Sequence, residues 1–235
     1  VRMQISAEGV KLGQSFHRGL MKSTASLTYE EVQSAYEGVS ISKRVAPLLE
    51  PVIKPLYEAY AALVRAREIR QPLELDLPER KIILDEDGQV ASVNFRDRLD
   101  AHRLIEEFMV LANVAAAEAL QAKQVPLLFR VHEEPSPEKL DALRETAQAA
   151  GLNLAKGQVL QTRHLNALLT QAEGKDEAEL INMSTLRSMT QAYYSPQNFG
   201  HFGLALRSYA HFTSPIRRYA DLIVHRALIR AHGCG

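Results

Sequence analysis

The segment Tyr209 to Leu228, YAHFTSPIRRYADLIVHRAL, constrains this chain more than any other. It joins a helix-start signal, a proline-fixed turn and two adjacent arginines within one short run. Thr213 and Ser214 are good N-cap residues, and Pro215 suits a first helical position, where its missing N–H is not needed. The spacing predicts a helix from there to about Ala231, ahead of the Gly233-Cys234-Gly235 end. Its mouth would combine free backbone N–H groups, the positive end of the helix dipole and the guanidinium groups of Arg217 and Arg218, a setting suited to a phosphate. The plainer alternative is a capped helix whose arginines pair with Asp221 at i+4 and i+3.

Bulk properties narrow the class. The 235 residues suffice for one large domain or two small ones, and 46% apolar residues allow a proper core. Lys plus Arg equals Asp plus Glu at 28 each, so no global basic field announces a nucleic-acid partner. Any such contact must come from a local groove. A lone cysteine, Cys234, excludes an internal disulfide framework and suits a reducing cytoplasm. No run of 18 apolar residues is present, so no membrane span is expected.

Periodicity and breakers place the elements. Val1–Ile5 and Ser15–Leu20 read as short strands about a turn at Glu8-Gly9. Thr28 followed by acidic residues opens a helix to about Tyr36, with a stop at Gly38. Pro47, Pro51 and Pro55 recur every four residues, and a regular helix is expected only from Pro55 to about Ile69. Lys81–Asp85 and Val90–Phe95 flank a turn-forming Asp-Gly. Arg98–Lys123 is the longest helical pattern, rich in alanine. Leu127–Val131 reads as a buried strand, Pro137–Ala150 as a helix closed by Gly151, and His164–Ala172 and Glu177–Thr190 as further helices. Leu204–Tyr209 is a strand candidate. The reading is one α+β body dominated by helices.

The signature segment resembles that of the RNB catalytic domain of the ribonuclease II and ribonuclease R family of 3′→5′ exoribonucleases. The likeness extends to Ser23–Gln33, Pro72–Glu79, Ile105–Asn113, Phe129–Glu133, Arg187–Met189, Gln191–Tyr194 and Gly200–Leu206, in the family's order. The resemblance implies an RNB-type α+β domain, with residues 1–235 forming its carboxy-terminal portion. The first residue is Val1 and the last three are Gly-Cys-Gly, so both ends read as cuts in a longer protein. It further implies Mg²⁺-dependent, processive hydrolysis of single-stranded RNA to nucleoside 5′-monophosphates. The family's aspartate cluster belongs to the amino-terminal half of the domain, and no stretch here matches it. The Mg²⁺ ligands are therefore expected outside this chain, and the chain alone is expected to be inactive.

Residue roles follow from the same resemblance. Arg217 is assigned to the scissile phosphate and transition state, where a guanidinium offers charge and paired donors. Tyr29 is assigned to the 3′-terminal nucleotide, by stacking or hydrogen bonding; its alternative is a core aromatic at a helix start. Ser26 stands where many relatives are expected to carry arginine. One of Glu106 and Glu107 is expected near the terminal ribose, and Glu106, Met109, Val110 and Asn113 share a helix face by spacing. Arg218, Ser214 and His211 complete the RNA-facing set, although Arg218 has Asp221 as a rival partner. His201, His211 and His225 do not carry a metal-ligand spacing and favour hydrogen-bonded structural roles. Gly200 and Gly203 suit either close backbone approach to RNA or a turn. In the acidic run Asp85-Glu86-Asp87 a solvated turn is favoured over a metal role. Two rival classes stand beside the enzyme: an RNA-binding module that lost catalysis, and a helical interaction domain.

Overall fold

A computed structural model describes residues 1–75, 80–85, 88–95, 98–157 and 159–234. The chain opens on an antiparallel hairpin of β1 (Arg2–Ile5) and β2 (Lys11–Ser15), with Arg2 opposite Ser15. The second strand therefore precedes the expected Ser15–Leu20. The cause is the tight turn: Ser6 Oγ accepts from the N–H groups of Glu8 and Val10, so pairing resumes at once. Gly9 is required there, since its φ is +77° and a Cβ would collide with the Ala62 carbonyl.

Helix α1 (Tyr29–Tyr36) starts as its sequence dictates. Glu31 N–H donates to Thr28 Oγ1 at 3.2 Å and Thr28 N–H donates to Glu31 Oε2 at 3.1 Å, a reciprocal capping box. The three prolines then lie in continuous helix, earlier than expected: α2 (Ala46–Leu48), a π turn (Leu49–Ile53) and α3 (Lys54–Arg70). Pro47 and Pro55 occupy first-turn positions of α2 and α3, where no N–H is missed. Pro51 falls in the π turn, where Lys54 N–H reaches the Leu49 carbonyl five residues back. A change of hydrogen-bond register along the run, from α to π and back to α, is how the repeat is accommodated.

Strands β3 (Arg80–Leu84) and β4 (Val90–Phe95) form the expected hairpin, with Arg80 opposite Phe95. Asp85 Oδ1 accepts from Gln89 N–H at 2.8 Å, as befits a turn acid. Its neighbours Glu86 and Asp87, and Asp76–Glu79 of the Pro72–Glu79 segment, lie outside the described residues. Next come α4 (Asp100–Ala122), β5 (Phe129–Val131), α5 (Pro137–Ala149), α6 (Thr162–Ala172), α7 (Ala178–Ser188) and β6 (Tyr193–Ser195), which pairs antiparallel with β5. The strand expected at Leu204–Tyr209 is absent. A 3₁₀ turn (Phe202–Leu204) and a left-handed Ala205 (φ +52°) fold the chain back, so that His201 and Leu206 exchange backbone hydrogen bonds. Helix α8 (Tyr219–Ala231) closes the chain.

The fold is α+β and helix-dominated. It divides into two compact units, one of Val1–Pro72, Asp100–Glu134 and Thr190–Gly235, the other of Leu73–Leu99 and Pro135–Met189. The first is organised by α4, whose alanines let neighbours approach closely. Ala116, Ala117 and Leu120 pack with Leu127, Phe129 and Val131 and with Val224 and Leu228 of α8. Nearer the helix start, Leu104 joins a second cluster with Ala35, Val45, Ile53 and Tyr57. Complete burial of a side chain such as Leu120 contributes roughly 1.5–3 kcal/mol. The second unit holds α5, α6 and α7, with buried Leu140, Leu143, Leu165, Leu168 and Ile181.

Candidate functional site

In the first unit, one buried amide fixes the signature segment on α4. Asn113, 2% exposed, donates through Nδ2 to the Tyr209 hydroxyl at 2.9 Å. Its Oδ1 accepts from the N–H groups of Phe212 (2.9 Å) and Thr213 (3.2 Å). Three bonds from one side chain, two of them to backbone N–H groups, therefore hold a segment about a hundred residues away. Buried amides need such partners, because an unmatched one carries its full desolvation cost.

The end of the segment is fixed by Asp221. This carboxylate is fully buried, receives Arg218 Nε on Oδ2 at 2.8 Å and Nη2 on Oδ1 at 2.9 Å, and accepts Ser214 N–H on Oδ1 at 2.8 Å. Burial acts to raise its pKa, but the guanidinium and the Ser214 N–H outweigh this and hold it below the usual carboxylate range. The arrangement corrects the expected helix start. The α8 N-cap is Arg218, not Thr213 or Ser214, and the Thr213 hydroxyl is buried without a hydrogen-bond partner. Pro215–Arg217 form a turn before the helix, in which the Ser214 carbonyl accepts from the N–H groups of Arg217 and Arg218. No side chain caps the helix; Asp221, in its first turn, instead ties the preceding turn to it through the Ser214 N–H and Arg218.

Above this support lies a pocket of about 320 Å³ lined by Tyr29, His102, Ile105, Glu106, Met109, Val110, Asn113, Leu204, Tyr209 and Arg218. Four of these residues, Glu106, Met109, Val110 and Asn113, are the helix face anticipated from spacing. Tyr29, 40% exposed, stands at the first position of α1 and stacks on His102 with ring centroids 4.1 Å apart and planes 25° apart. The lining thus offers an aromatic face, a carboxylate, a guanidinium and an apolar floor. That chemistry matches a single nucleoside with its charged linkage.

The structure separates the two glutamates. Glu106 lines the pocket, whereas Glu107 is 5% exposed and turned to α3, with Arg67 Nη1 at 2.6 Å and Arg70 Nη2 at 3.5 Å. Glu107 is therefore corrected from a substrate candidate to a buried structural carboxylate. Arg217 is not among the pocket-lining residues; it is exposed on the turn, its guanidinium without a hydrogen bond or ion pair among the described residues. Its neighbour Arg218 is the arginine that faces the pocket. Of the three residues that the resemblance assigns most directly to substrate, Tyr29 and Glu106 thus share one pocket and Arg217 lies outside its lining.

Ser214 and His211 also lie outside the pocket lining. His211 Nδ1 is 2.7 Å from the Tyr194 hydroxyl, and Arg130 sits 5.0 Å over the Tyr194 ring. Burial, with Arg218 nearby, pushes the His211 imidazole down to about 4, so it is neutral at pH 7. His201 is pushed down to about 3, chiefly by burial and then by His132, and its Nδ1 accepts from Leu204 N–H. His225 Nε2 lies 2.8 Å from the Phe212 carbonyl. All three make the structural hydrogen bonds expected of them. Gly200 and Gly203 serve internal packing: Cβ atoms there would meet the Leu206 carbonyl oxygen at 3.1 Å and His132 Nδ1 at 2.8 Å.

Sequence reasoning assigned no role to His102, Asn113 or Tyr209. A signal existed for His102, which lies one helical turn before Glu106 on the same face. Among the described residues, no three His, Cys, Asp or Glu side chains are grouped as metal ligands, and Asp221 and Glu107 are taken up by arginines. The described residues therefore do not fit a divalent-cation site.

Comparison with known proteins places the chain. The model of the RNB domain matches residues 1–232. Ribonuclease R of Escherichia coli (strain K12) is 40% identical over 227 residues, which cover 96% of this chain and 28% of that protein. The chain thus spans less than a third of that relative's length. Among solved structures, Mycoplasma genitalium RNase R in complex with ribose methylated single-stranded RNA aligns with a TM-score of 0.74 and 29% identity, covering 87% of this chain and 32% of that one. Yeast Ssd1, described as a pseudonuclease, aligns with a TM-score of 0.51 and 29% identity over 59% of this chain and 18% of its own. With a family match that spans nearly every residue and an identity of 40% to a ribonuclease R, this chain belongs to the RNB domain family.

Proposed function

We propose that this chain is the part of a Mg²⁺-dependent 3′→5′ exoribonuclease that holds the end of single-stranded RNA, within an enzyme that releases nucleoside 5′-monophosphates in the cytoplasm. The observation that supports this most is the gathering of Tyr29, Glu106 and Arg218 from distant parts of the chain around one nucleoside-sized pocket. Tyr29 stacks on the terminal base, Glu106 accepts from ribose hydroxyls and Arg218 faces the phosphate. Arg217, exposed on the adjoining turn, stabilises the charge that develops on the scissile phosphate. Mg²⁺ would supply Lewis acidity at that phosphate, with its carboxylate ligands outside this chain.

The test is binding and hydrolysis of a labelled oligoribonucleotide by the 235-residue chain with and without Mg²⁺. Binding that weakens on Tyr29→Ala or on replacing the terminal ribose by deoxyribose, without release of mononucleotides, is the expected result. Equal affinity for ribo- and deoxyribo-ends removes Glu106 from its role, and absence of binding removes the pocket. A second reading, an RNA-binding module without hydrolysis, draws support from the likeness to the Ssd1 pseudonuclease. Mg²⁺-dependent hydrolysis by the full-length protein separates the two.

A further inference from the structure

The proposed function leaves His102 unused, although it lines the pocket and touches Tyr29. Its ring covers one face of Tyr29 at a centroid distance of 4.1 Å, while Tyr29 remains 40% exposed. His102 is carried by α4, the helix that also carries Glu106 and Asn113, and α4 is locked to the signature segment through the Asn113 bonds. Tyr29, by contrast, stands at the very start of a helix of eight residues, preceded by the irregular segment 16–28. The capping box fixes the backbone there, through Thr28 and Glu31, but leaves the phenol ring of Tyr29 unspecified. His102 is the aromatic ring stacked on it. Its Nδ1 is buried with no hydrogen-bond partner, so the half-buried ring is held there by stacking rather than by a polar contact.

We propose that His102 is a positioning residue for the terminal nucleotide: stacked behind Tyr29, it fixes the phenol ring in the plane that receives the last base of the strand on its open face. This rests on the reading of the pocket given above. A loose Tyr29 must lose rotamer freedom when a base stacks on it, and a ring already held between α1 and α4 does not. The result is a two-ring ledge on which a base of any identity stacks, because every base presents a π face. The requirement is for an aromatic ring at position 102 rather than for its nitrogens.

The experiment uses the 235-residue chain and oligoribonucleotides carrying 2-aminopurine at the 3′-terminal or at an internal position. Fluorescence quenching by the protein reads base stacking at each position, and thermal melting of each variant checks folding. The expected result for His102→Ala is loss of terminal quenching with an affinity drop of roughly fivefold or more, set by the scale of base–aromatic stacking, and little change at the internal position. His102→Phe should restore terminal quenching. Terminal quenching that survives His102→Ala, or a loss that His102→Phe does not repair in a folded variant, overturns the positioning role. If instead the wild-type chain gives no terminal quenching, or Tyr29→Ala leaves it intact, the pocket reading itself falls and the role of His102 with it.

Discussion

Arg218 and Asp221 meet in a two-point fork, Nε on Oδ2 at 2.8 Å and Nη2 on Oδ1 at 2.9 Å, with the carboxylate wholly buried and the guanidinium at the pocket wall. The pair does two things at once. It ties the turn before α8 to the helix through the Ser214 N–H, and it holds a planar cation in one orientation before any ligand arrives. Removing one partner of a buried pair leaves the other charge uncompensated, so Asp221→Ala should cost about 3–5 kcal/mol in urea unfolding. Asp221→Asn, which keeps an acceptor for Ser214, should cost less. A loss within about 0.5 kcal/mol for Asp221→Ala would mean that the fork does not support the fold.

Asn113 tests the same framework from the α4 side. Asn113→Ala removes the partners of Tyr209, Phe212 and Thr213 together, at about 1 kcal/mol for each bond and more where a buried group stays unpaired. The expected loss is about 2–4 kcal/mol, with faster amide exchange at Phe212 and Thr213. Unchanged exchange at those two positions would show that the loop is held by other contacts.

How far the sequence foretold this site depends on whether the deciding contacts are local. The Thr28–Glu31 capping box, the Asp85–Gln89 turn and the pocket face of α4 follow from spacing alone, and all three stand as expected. The start of α8 does not, because Pro215–Arg217 form a separate turn that Asp221 ties back through the Ser214 N–H and Arg218, so the helix begins after Arg218 rather than after Ser214. The division between Glu106 and Glu107 was equally illegible. It is set by arginines forty residues away on α3, and adjacent helical positions differ by about 100° in direction, enough to send one acid to the pocket and the other into the core. The resemblance singled out Arg217, whereas the fold places Arg218 on the pocket wall and Arg217 on the exposed turn, because which of two adjacent arginines lines the pocket is set by long-range packing.

Two buried imidazoles make the stability of this chain depend on pH. His201 and His211 are held down to about 3 and about 4 in the folded state, in each case mainly by burial. Unfolded histidine binds its proton near pH 6.5, so below that value the unfolded state takes up protons that the folded state refuses. Stability should therefore be full above about pH 7 and fall as pH drops from about 6.5 towards 4, with a slope approaching two protons from these rings and a further contribution from His132, which burial also holds down. Urea midpoints measured across this range check the slope, and His211→Gln should reduce it by about one proton. A midpoint that is flat between pH 6.5 and 4.5 would show that neither ring is desolvated as described.

For Arg217 the expectation concerns chemistry rather than binding. In the full-length enzyme, Arg217→Ala should lower the single-turnover rate by about 10²–10³ while changing RNA affinity little, since a donor to developing charge acts in the transition state. Arg217→Lys should recover only part, because an ammonium lacks the planar fork. Arg217 is exposed and its side chain bonds to nothing described, so the variant should melt with the wild type. A rate within about twofold of wild type would remove Arg217 from the reaction.

Glu106 and Glu107 offer the sharpest comparison, because the same substitution at adjacent positions should produce opposite phenotypes. Glu107→Gln removes the countercharge of Arg67 and Arg70, and the Nε and Nη2 atoms of Arg70 already lie buried without a hydrogen bond. Burial presses the Arg70 pKa down while Glu107 opposes it, so loss of this carboxylate leaves two partly desolvated cations facing each other. The expected cost is about 3–5 kcal/mol of stability, with RNA affinity per folded molecule unchanged. Glu106→Gln should instead cost less stability than Glu107→Gln and shrink the preference for a ribose over a deoxyribose end, as an amide is a weaker acceptor than a carboxylate. Calorimetry and paired binding titrations read both effects on the same preparations. If Glu107→Gln melts like the wild type while Glu106→Gln unfolds, the assignment of the two acids must be exchanged.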